Sequence, residues 1–164
     1  FSTANVGTPN AVRLSDSRWR MYHHIYDAER YEIISAISED GLHFEPEPGV
    51  RISQTSKFEG YSAYSPSVLG GEGGSWRMYY SGWSEGPLVK GRILSATSHD
   101  GLDWCKDNEP VLEPDRHEDS AHCSEPHCAL LPDGRWRLFY EAISKDGTCR
   151  IMSATAANEK RATR

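Results

Sequence analysis

Three stretches of this chain carry the same punctuation at the same spacing, and that repetition leaves few folds open. A Pro stands ten residues before a Trp at Pro9/Trp19, Pro66/Trp76 and Pro126/Trp136. Each Trp opens a short run, W-R-M-Y at Trp19 and Trp76 and W-R-L-F at Trp136, and the three tryptophans stand 57 and 60 residues apart. Downstream come Ser35-Ala36, Ser95-Ala96 and Ser153-Ala154, and four residues after each Ala lie Asp40-Gly41, Asp100-Gly101 and Asn158-Glu159. Within the runs, Trp76, Met78 and Tyr80 alternate with Arg77, Tyr79 and Ser81, the period of a β-strand. Asp-Gly readily takes the positive φ angles of tight turns, so Asp40-Gly41 and Asp100-Gly101 are expected in hairpins.

The second unit offers four strands, at Ser67–Leu69, Trp76–Ser81, Arg92–Thr97 and Trp104–Leu112. A repeated four-stranded antiparallel unit with a Trp and an Asp-Gly turn is the pattern of a β-propeller blade. Sandwiches do not ordinarily repeat a whole sheet in sequence. The expected architecture is all-β: one propeller-type domain over residues 1–164, with repeats at about 9–52, 66–114 and 126–159. Trp19, Trp76 and Trp136 should occupy equivalent second-strand positions and pack as core between sheets. The third repeat is expected to lack its outer strand, because residues 160–164, Lys-Arg-Ala-Thr-Arg, are too short and polar to supply a buried one.

Charge and composition narrow the function classes. A net charge of −6 argues against nucleic acid, whose phosphates need clustered Lys and Arg. No run approaches the roughly 18 apolar residues of a membrane span, so no membrane partner is expected either. The chain opens on Phe1 rather than Met, which leaves a removed leader open. Cys105, Cys123, Cys128 and Cys149 show no C-x-x-C spacing and read as free thiols.

His23 and His24 are neighbours in a strand and should point to opposite faces, one of them into a funnel. The richest stretch, Asp115 to Cys128, holds His117, His122, His127, Cys123, Cys128 and Glu125. None of the usual zinc spacings is present, and no metal or other cofactor is expected. On a regular strand Cys123, Glu125 and His127 would share one face. The starts of inner strands line the funnel of a propeller, which places Tyr64 and Ser65 there, just before Pro66. Aromatics such as Tyr61 and Tyr64 stack on sugar rings or pack between blades. Glu125, just before Pro126 and with His127 beside it, reads either as a general acid with a raised pKa or as a solvated loop carboxylate.

The segments S-P-S-V-L, W-R-M-Y-Y-S-G and R-I-L-S-A-T-S-H-D-G-L-D-W resemble the five-bladed propellers of glycoside hydrolase families thirty-two and forty-three. The resemblance runs through all three units. It implies hydrolysis of glycosidic bonds by carboxylates on the inner strands of successive blades: a base or nucleophile, a helper Asp and an acid Glu. An inverting pair of this kind stands roughly 6.5–9.5 Å apart to admit a water. The matching positions here, next to the blade prolines, are Thr8, Ser65 and Glu125. Glu125 fits the acid, whereas Thr8 and Ser65 depart from the pattern, leaving Asp27, Glu85 and Glu141 as substitute carboxylates. Two functions follow. One is a carbohydrate-active enzyme with Glu125 as acid. The other is a non-catalytic propeller that binds a glycan or protein through Tyr64, Ser65, His127 and Glu125.

A closed propeller needs roughly 4–8 blades. Three would leave apolar inter-blade faces bare, so the chain is expected either to be part of a longer propeller or to close as a six-bladed homodimer. Residues 1–8 are expected as a free arm, or as the strand donated to the partner's third blade.

Overall fold

The computed structural model describes residues 5–28, 31–70, 75–84 and 90–156, and these form strands and turns without a helix. The first sheet runs β1 (Asn5–Arg13), β2 (Trp19–Tyr26), β3 (Tyr31–Ser38), β4 (Glu45–Pro46). The second runs β5 (Ser62–Gly70), β6 (Trp76–Trp83), β7 (Gly91–Ser98), β8 (Cys105–Lys106). The third holds β9 (His122–Leu130), β10 (Trp136–Ile143) and β11 (Cys149–Ala156). Neighbours pair antiparallel in chain order, so each sheet is an up-and-down meander and the chain makes three consecutive propeller blades. The third blade's turn candidate Asn158-Glu159 and residues 160–164 lie outside the described residues.

The tryptophans keep one register, with Trp19 opposite Ser38, Trp76 opposite Ser98 and Trp136 opposite Ala156. Their burial is graded. Trp76 lies inside the core that joins the first two sheets, with Tyr22, Ile33, Met78 and Tyr80. Trp136 is half-buried against the second core, formed by Tyr79, Ile93, Leu138 and Tyr140 between sheets two and three. Trp19 departs from the expected core position between sheets: it is half-buried under Gly41 of its own blade, because no sheet precedes the first one among the described residues. Both faces of β6 are covered, and each fully buried Tyr or Met there contributes about 1.5–3 kcal/mol.

Two strand expectations need correction. The fourth strand expected over Trp104–Leu112 is only Cys105–Lys106, followed by an isolated pairing of Leu112 with Ile93. Pro110 has no N–H to give a ladder, and Asn108 and Glu109 before it turn outward from the sheet edge. The inner strand expected over Ser67–Leu69 begins five residues earlier, at Ser62. Residues 5–8 are neither a free arm nor a donated strand, because Asn5, Val6 and Gly7 pair with Tyr26, Ile25 and His24 inside their own sheet.

The inner strands extend past their prolines by bulging. The ladder slips between Gly7 and Asn10 and between Tyr64 and Ser67, and in β9 it jumps from Ser124 to His127. At each slip a non-glycine residue precedes a proline with φ in the left-handed region: Thr8 at 45°, Ser65 at 54° and Glu125 at 51°. Pre-proline residues avoid helical backbone, and left-handed backbone at a non-glycine costs of order 1–3 kcal/mol. The bulge re-aims those three side chains.

Adjacent blades are clasped by repeated hydrogen bonds. Val68 N–H donates to Asn10 Oδ1 at 3.0 Å, and at the same position one blade on Cys128 N–H donates to Ser67 Oγ at 3.0 Å. On the outer side, Arg20 Nη1 donates to the Asp100 carbonyl at 2.9 Å, Tyr22 OH to the Gly101 carbonyl at 2.8 Å and Arg51 Nη1 to the Leu102 carbonyl at 3.1 Å. The receiving turn is fixed by Asp100, whose carboxylate accepts the N–H groups of Asp103 and Leu102 and is held down at about 2 by them.

This clasp yields a paired expectation. Gly41 and Gly101 sit in the same hairpin turn of successive blades with φ of 76° and 73°, so alanine at either meets the same left-handed cost of about 1–2 kcal/mol. A Cβ at Gly41 would first meet the Trp19 ring, at 3.2 Å, whereas one at Gly101 would lie 2.7 Å from both Arg20 Nη1 and Tyr22 Oη. Gly101→Ala is therefore expected to destabilise by a further ~1–3 kcal/mol relative to Gly41→Ala, read from urea midpoints. Equal losses would mean that the two blades are not clasped there.

Candidate functional site

β1, β5 and β9 stand side by side and carry Thr8, Ser65 and Glu125 on their bulges. The bulges are wired together. Ser65 N–H donates to Thr8 Oγ1 at 3.1 Å, and Glu125 N–H donates to Ser81 Oγ at 2.8 Å. Next to each bulge lies the residue five positions after the blade's Trp: His24, Ser81 and Glu141. Thr8 Oγ1 is 2.7 Å from His24 Nδ1, and Ser124 Oγ donates to Glu141 Oε2 at 3.0 Å. Blade one thus brings an imidazole to the funnel, blade two a hydroxyl and blade three a pair of carboxylates.

The Glu125 carboxyl is pushed above its ordinary value first by burial and then by the charge of Glu141. Its side chain still reaches solvent. Tyr64 stands at the centre of the cluster. Its hydroxyl accepts from Trp83 Nε1 at 2.9 Å, and burial raises the phenol, with the Glu125 charge adding to it. Trp83 in turn stacks on His122 at 4.3 Å, whose Nδ1 accepts from Gly91 N–H.

An aromatic wall continues from Tyr64 along blade one. Tyr26 and Tyr31 stack at 4.9 Å, Tyr31 stacks on His24 at 5.3 Å, and Tyr64 meets His24 edge-on at 5.9 Å. His24 is buried and faces the funnel, while His23 points to the other face, as alternation along a strand requires. Burial lowers the His24 pKa, followed by the charge of His23.

The structure brings Tyr64, Ser65 and Glu125 together but not His127. That residue pairs across from Phe139 on the exposed face of the third sheet. Nor do Cys123, Glu125 and His127 share a face: Cys123 is fully buried in the second core while the other two are exposed. The bulge at Glu125-Pro126 breaks the alternation that reading assumed. Among the substitute carboxylates, Glu141 joins the cluster, Asp27 is exposed beyond the end of β2, and Glu85 lies outside the described residues. The sequence reading placed one of His23 and His24 in the funnel without saying which, and it missed Ser81 and Trp83. Counting five or seven positions from each repeat Trp finds them.

Among the described residues, no group of three His, Cys, Asp or Glu side chains is placed to hold a metal ion. None of the four cysteines forms a disulfide. A cavity of about 400 Å³ is at the other rim between blades two and three, lined by Arg77, Tyr79 and Trp136 among others. One blade earlier the corresponding residues Arg20, Tyr22 and Trp76 are covered by the Gly101 turn. The third blade's corresponding turn lies outside the described residues, and the cavity is away from the bulged positions.

The fold is shared with solved glycoside hydrolases at low identity. A thermostable family-43 glycoside hydrolase superposes with a TM-score of 0.80 at 16% identity, covering 100% of this chain and 59% of that one. The endo-arabinase from Bacteroides thetaiotaomicron VPI-5482 gives 0.77 at 14%, with coverage of 98% and 59%. Sucrose-6-phosphate hydrolase from Lactobacillus gasseri gives 0.78 at 17%, with coverage of 92% and 32%. The chain thus spans less than two thirds of each of these proteins. No curated protein matches it in sequence. Residues 3–158 match the family described as "Glycosyl hydrolases family 32 N-terminal domain", so with three propeller blades and their bulged funnel positions the chain belongs to that family.

Proposed function

We propose that this chain carries a carbohydrate-active funnel in which Glu125 is the general acid that protonates the oxygen leaving a glycosidic bond. The observation that carries this reading is Glu125 itself. It is a carboxyl on a strained bulge of the third inner strand, pushed toward its protonated form by burial and by Glu141. An acid that must hold its proton near neutral pH needs that shift. The wall of Tyr26, Tyr31 and Tyr64 offers flat apolar surface beside it for a sugar face. The names of the structural neighbours, an endo-arabinase and a sucrose-6-phosphate hydrolase, agree with a glycoside as substrate class.

A second reading is favoured by Thr8 and Ser65, which bring hydroxyls where the resembled enzymes bring carboxylates. On that reading the funnel binds a glycan without cleaving it. The two separate on a panel of glycosides: the first requires turnover that depends on Glu125, the second saturable binding without turnover.

We further propose that a second copy of the chain covers the open face of the third blade. Tyr22 and Tyr79, three positions after their blade's Trp, are 0% and 8% exposed under the next blade, while the equivalent Phe139 is 40% exposed. Ile151 on the same face is 76% exposed, and Val6 at the opposite end of the arc is 65% exposed. Two arcs related by a two-fold axis would cover both ends at once. Light scattering on the full chain should give the mass of a dimer, and a soluble monomer at micromolar concentration would contradict it.

A further inference from the structure

The outer edges of the first two sheets are closed by the same bonds at the same spacing. Glu47 N–H donates to the Ser35 carbonyl and Asp107 N–H to the Ser95 carbonyl, both at 2.9 Å. Farther along, Ile33 and Ile52 exchange backbone hydrogen bonds at 2.9 and 3.2 Å, and Ile93 and Leu112 do so at 3.1 and 3.2 Å. The side chains repeat as well. Arg20, directly after its blade's Trp, donates to the Glu47 carboxylate from Nε at 2.8 Å and from Nη2 at 2.9 Å. Arg77 Nη1 donates to Asp107 at 2.9 Å. The Ser35 and Ser95 hydroxyls donate to the same two carboxylates at 2.7 and 2.6 Å. An outer segment is thus read at two points five residues apart: a carboxylate on the Arg–Ser pair, and an aliphatic residue bridged to an Ile of the third strand.

Blade three keeps the reading side of this arrangement. Arg137, Ser153 and Ile151 stand where Arg20, Ser35 and Ile33 stand in blade one. Arg137 Nη2 donates to Ser153 Oγ at 2.6 Å, as Arg77 Nη1 donates to Ser95, and its Nη1 donates to Thr155 Oγ1 at 2.7 Å. Its other contact is the Phe139 ring, so among the described residues no carboxylate balances its charge. Ile33 and Ile93 are 0% exposed and Ile151 is 76% exposed. β11 is the last strand of its sheet, and an unpaired strand edge is a template for one more strand. Residues 157–164, Ala-Asn-Glu-Lys-Arg-Ala-Thr-Arg, place no aliphatic residue five positions after a carboxylate.

We propose that the outer edge of β11 docks an extended segment of another protein that carries a carboxylate five residues before an Ile or Leu. The carboxylate accepts from the Arg137 guanidinium and the Ser153 hydroxyl, and the N–H beside it donates to the Ser153 carbonyl. The aliphatic residue exchanges backbone bonds with Ile151 and covers its side chain. Main-chain pairing supplies affinity in such strand addition, and the two side-chain positions supply the choice of partner. A segment with Lys, Arg or an amide at the first position would leave the Arg137 charge unbalanced and is rejected. The segment adds to the edge of the sheet rather than to the face that carries Phe139, and it needs nothing from Glu125.

The probe is the chain's own blade-one segment, an acetylated peptide of the sequence Glu45–Ile52, E-P-E-P-G-V-R-I, titrated into the full chain. Binding should saturate at one peptide per chain, and hydrogen exchange at the Ile151 amide should slow by about tenfold or more. Glu47→Gln in the peptide and Arg137→Gln in the chain should each weaken binding about tenfold, and the two together hardly more than either alone, since they remove one contact. Ile52→Ser in the peptide should weaken it as well. No saturable binding up to about 1 mM, losses that multiply in the double variant, or unchanged exchange at Ile151 would each overturn the docking site. Peptide that binds only by splitting a dimer of the chain gives the edge to a second copy and overturns it too. The peptide series and the exchange use the wild-type chain, so they decide the matter even where Arg137→Gln fails to fold.

Discussion

Lys106→Met is expected to lower folding stability by about 3–5 kcal/mol, seen as a lower urea midpoint at unchanged slope. Glu59 is fully buried between the first two blades. Its Oε1 accepts from Lys106 Nζ at 2.6 Å and from Tyr80 OH at 3.0 Å, while Oε2 has no partner among the described residues. Lys106 reaches in from the two-residue β8 and also ties Thr55 Oγ1 and the Ser53 carbonyl, so one ammonium pins the inter-blade link to the outer strand. Methionine keeps the packed stem and removes the charge, leaving a buried carboxylate with one phenol donor. Adding Glu59→Gln to the variant should recover most of the loss, since a neutral amide has no charge to strand. The third blade supplies an internal control. Asp119, at the position equivalent to Glu59, is also fully buried and accepts the N–H groups of Asp115 and Arg116 and the Tyr140 hydroxyl. A loss below about 1 kcal/mol in Lys106→Met would show that the pair is solvated and behaves as a surface ion pair.

The repeat was legible because its markers are backbone necessities. The Trp register, the Asp-Gly turns with their left-handed glycines and the Pro of each inner strand survive while the side chains between them change. The place of Tyr64 and Ser65 on the second inner strand was legible for the same reason, since they stand beside Pro66. The bulge was not legible. A period-two reading through Ser124, Glu125, Pro126 and His127 assumes a regular strand, and it put His127 beside Glu125 and Cys123 on their face. In the structure the extra residue at Glu125-Pro126 reverses the alternation. A proline in mid-strand, with no N–H for the ladder, was the available signal. The fourth strands were overdrawn because Trp104 and Leu112 are apolar, yet both pack into the inter-blade cores from a mostly irregular segment. Contacts such as Arg20 to the Asp100 carbonyl span 80 residues and depend on blade stacking, which no local pattern reports.

The central claim is that Glu125 gives its proton to the departing oxygen, and the need for that proton grows with the basicity of the leaving group. A nitrophenolate departs without help, whereas a sugar or alkyl alkoxide does not. Glu125→Gln keeps the shape of the side chain and removes the transferable proton. For the unactivated glycoside its turnover should fall by about 10²–10⁴-fold, equivalent to about 2.7–5.5 kcal/mol of barrier. For the nitrophenyl glycoside of the same sugar the loss should stay below about tenfold. The sign of the pH dependence follows from the raised pKa: the acid is loaded below it, so wild-type turnover of the unactivated substrate declines as pH rises through it. The decisive measurement is the ratio of the two losses in Glu125→Gln. The account predicts a loss at least tenfold greater for the poor leaving group, and equal losses, or undiminished turnover of the poor leaving group, would contradict it.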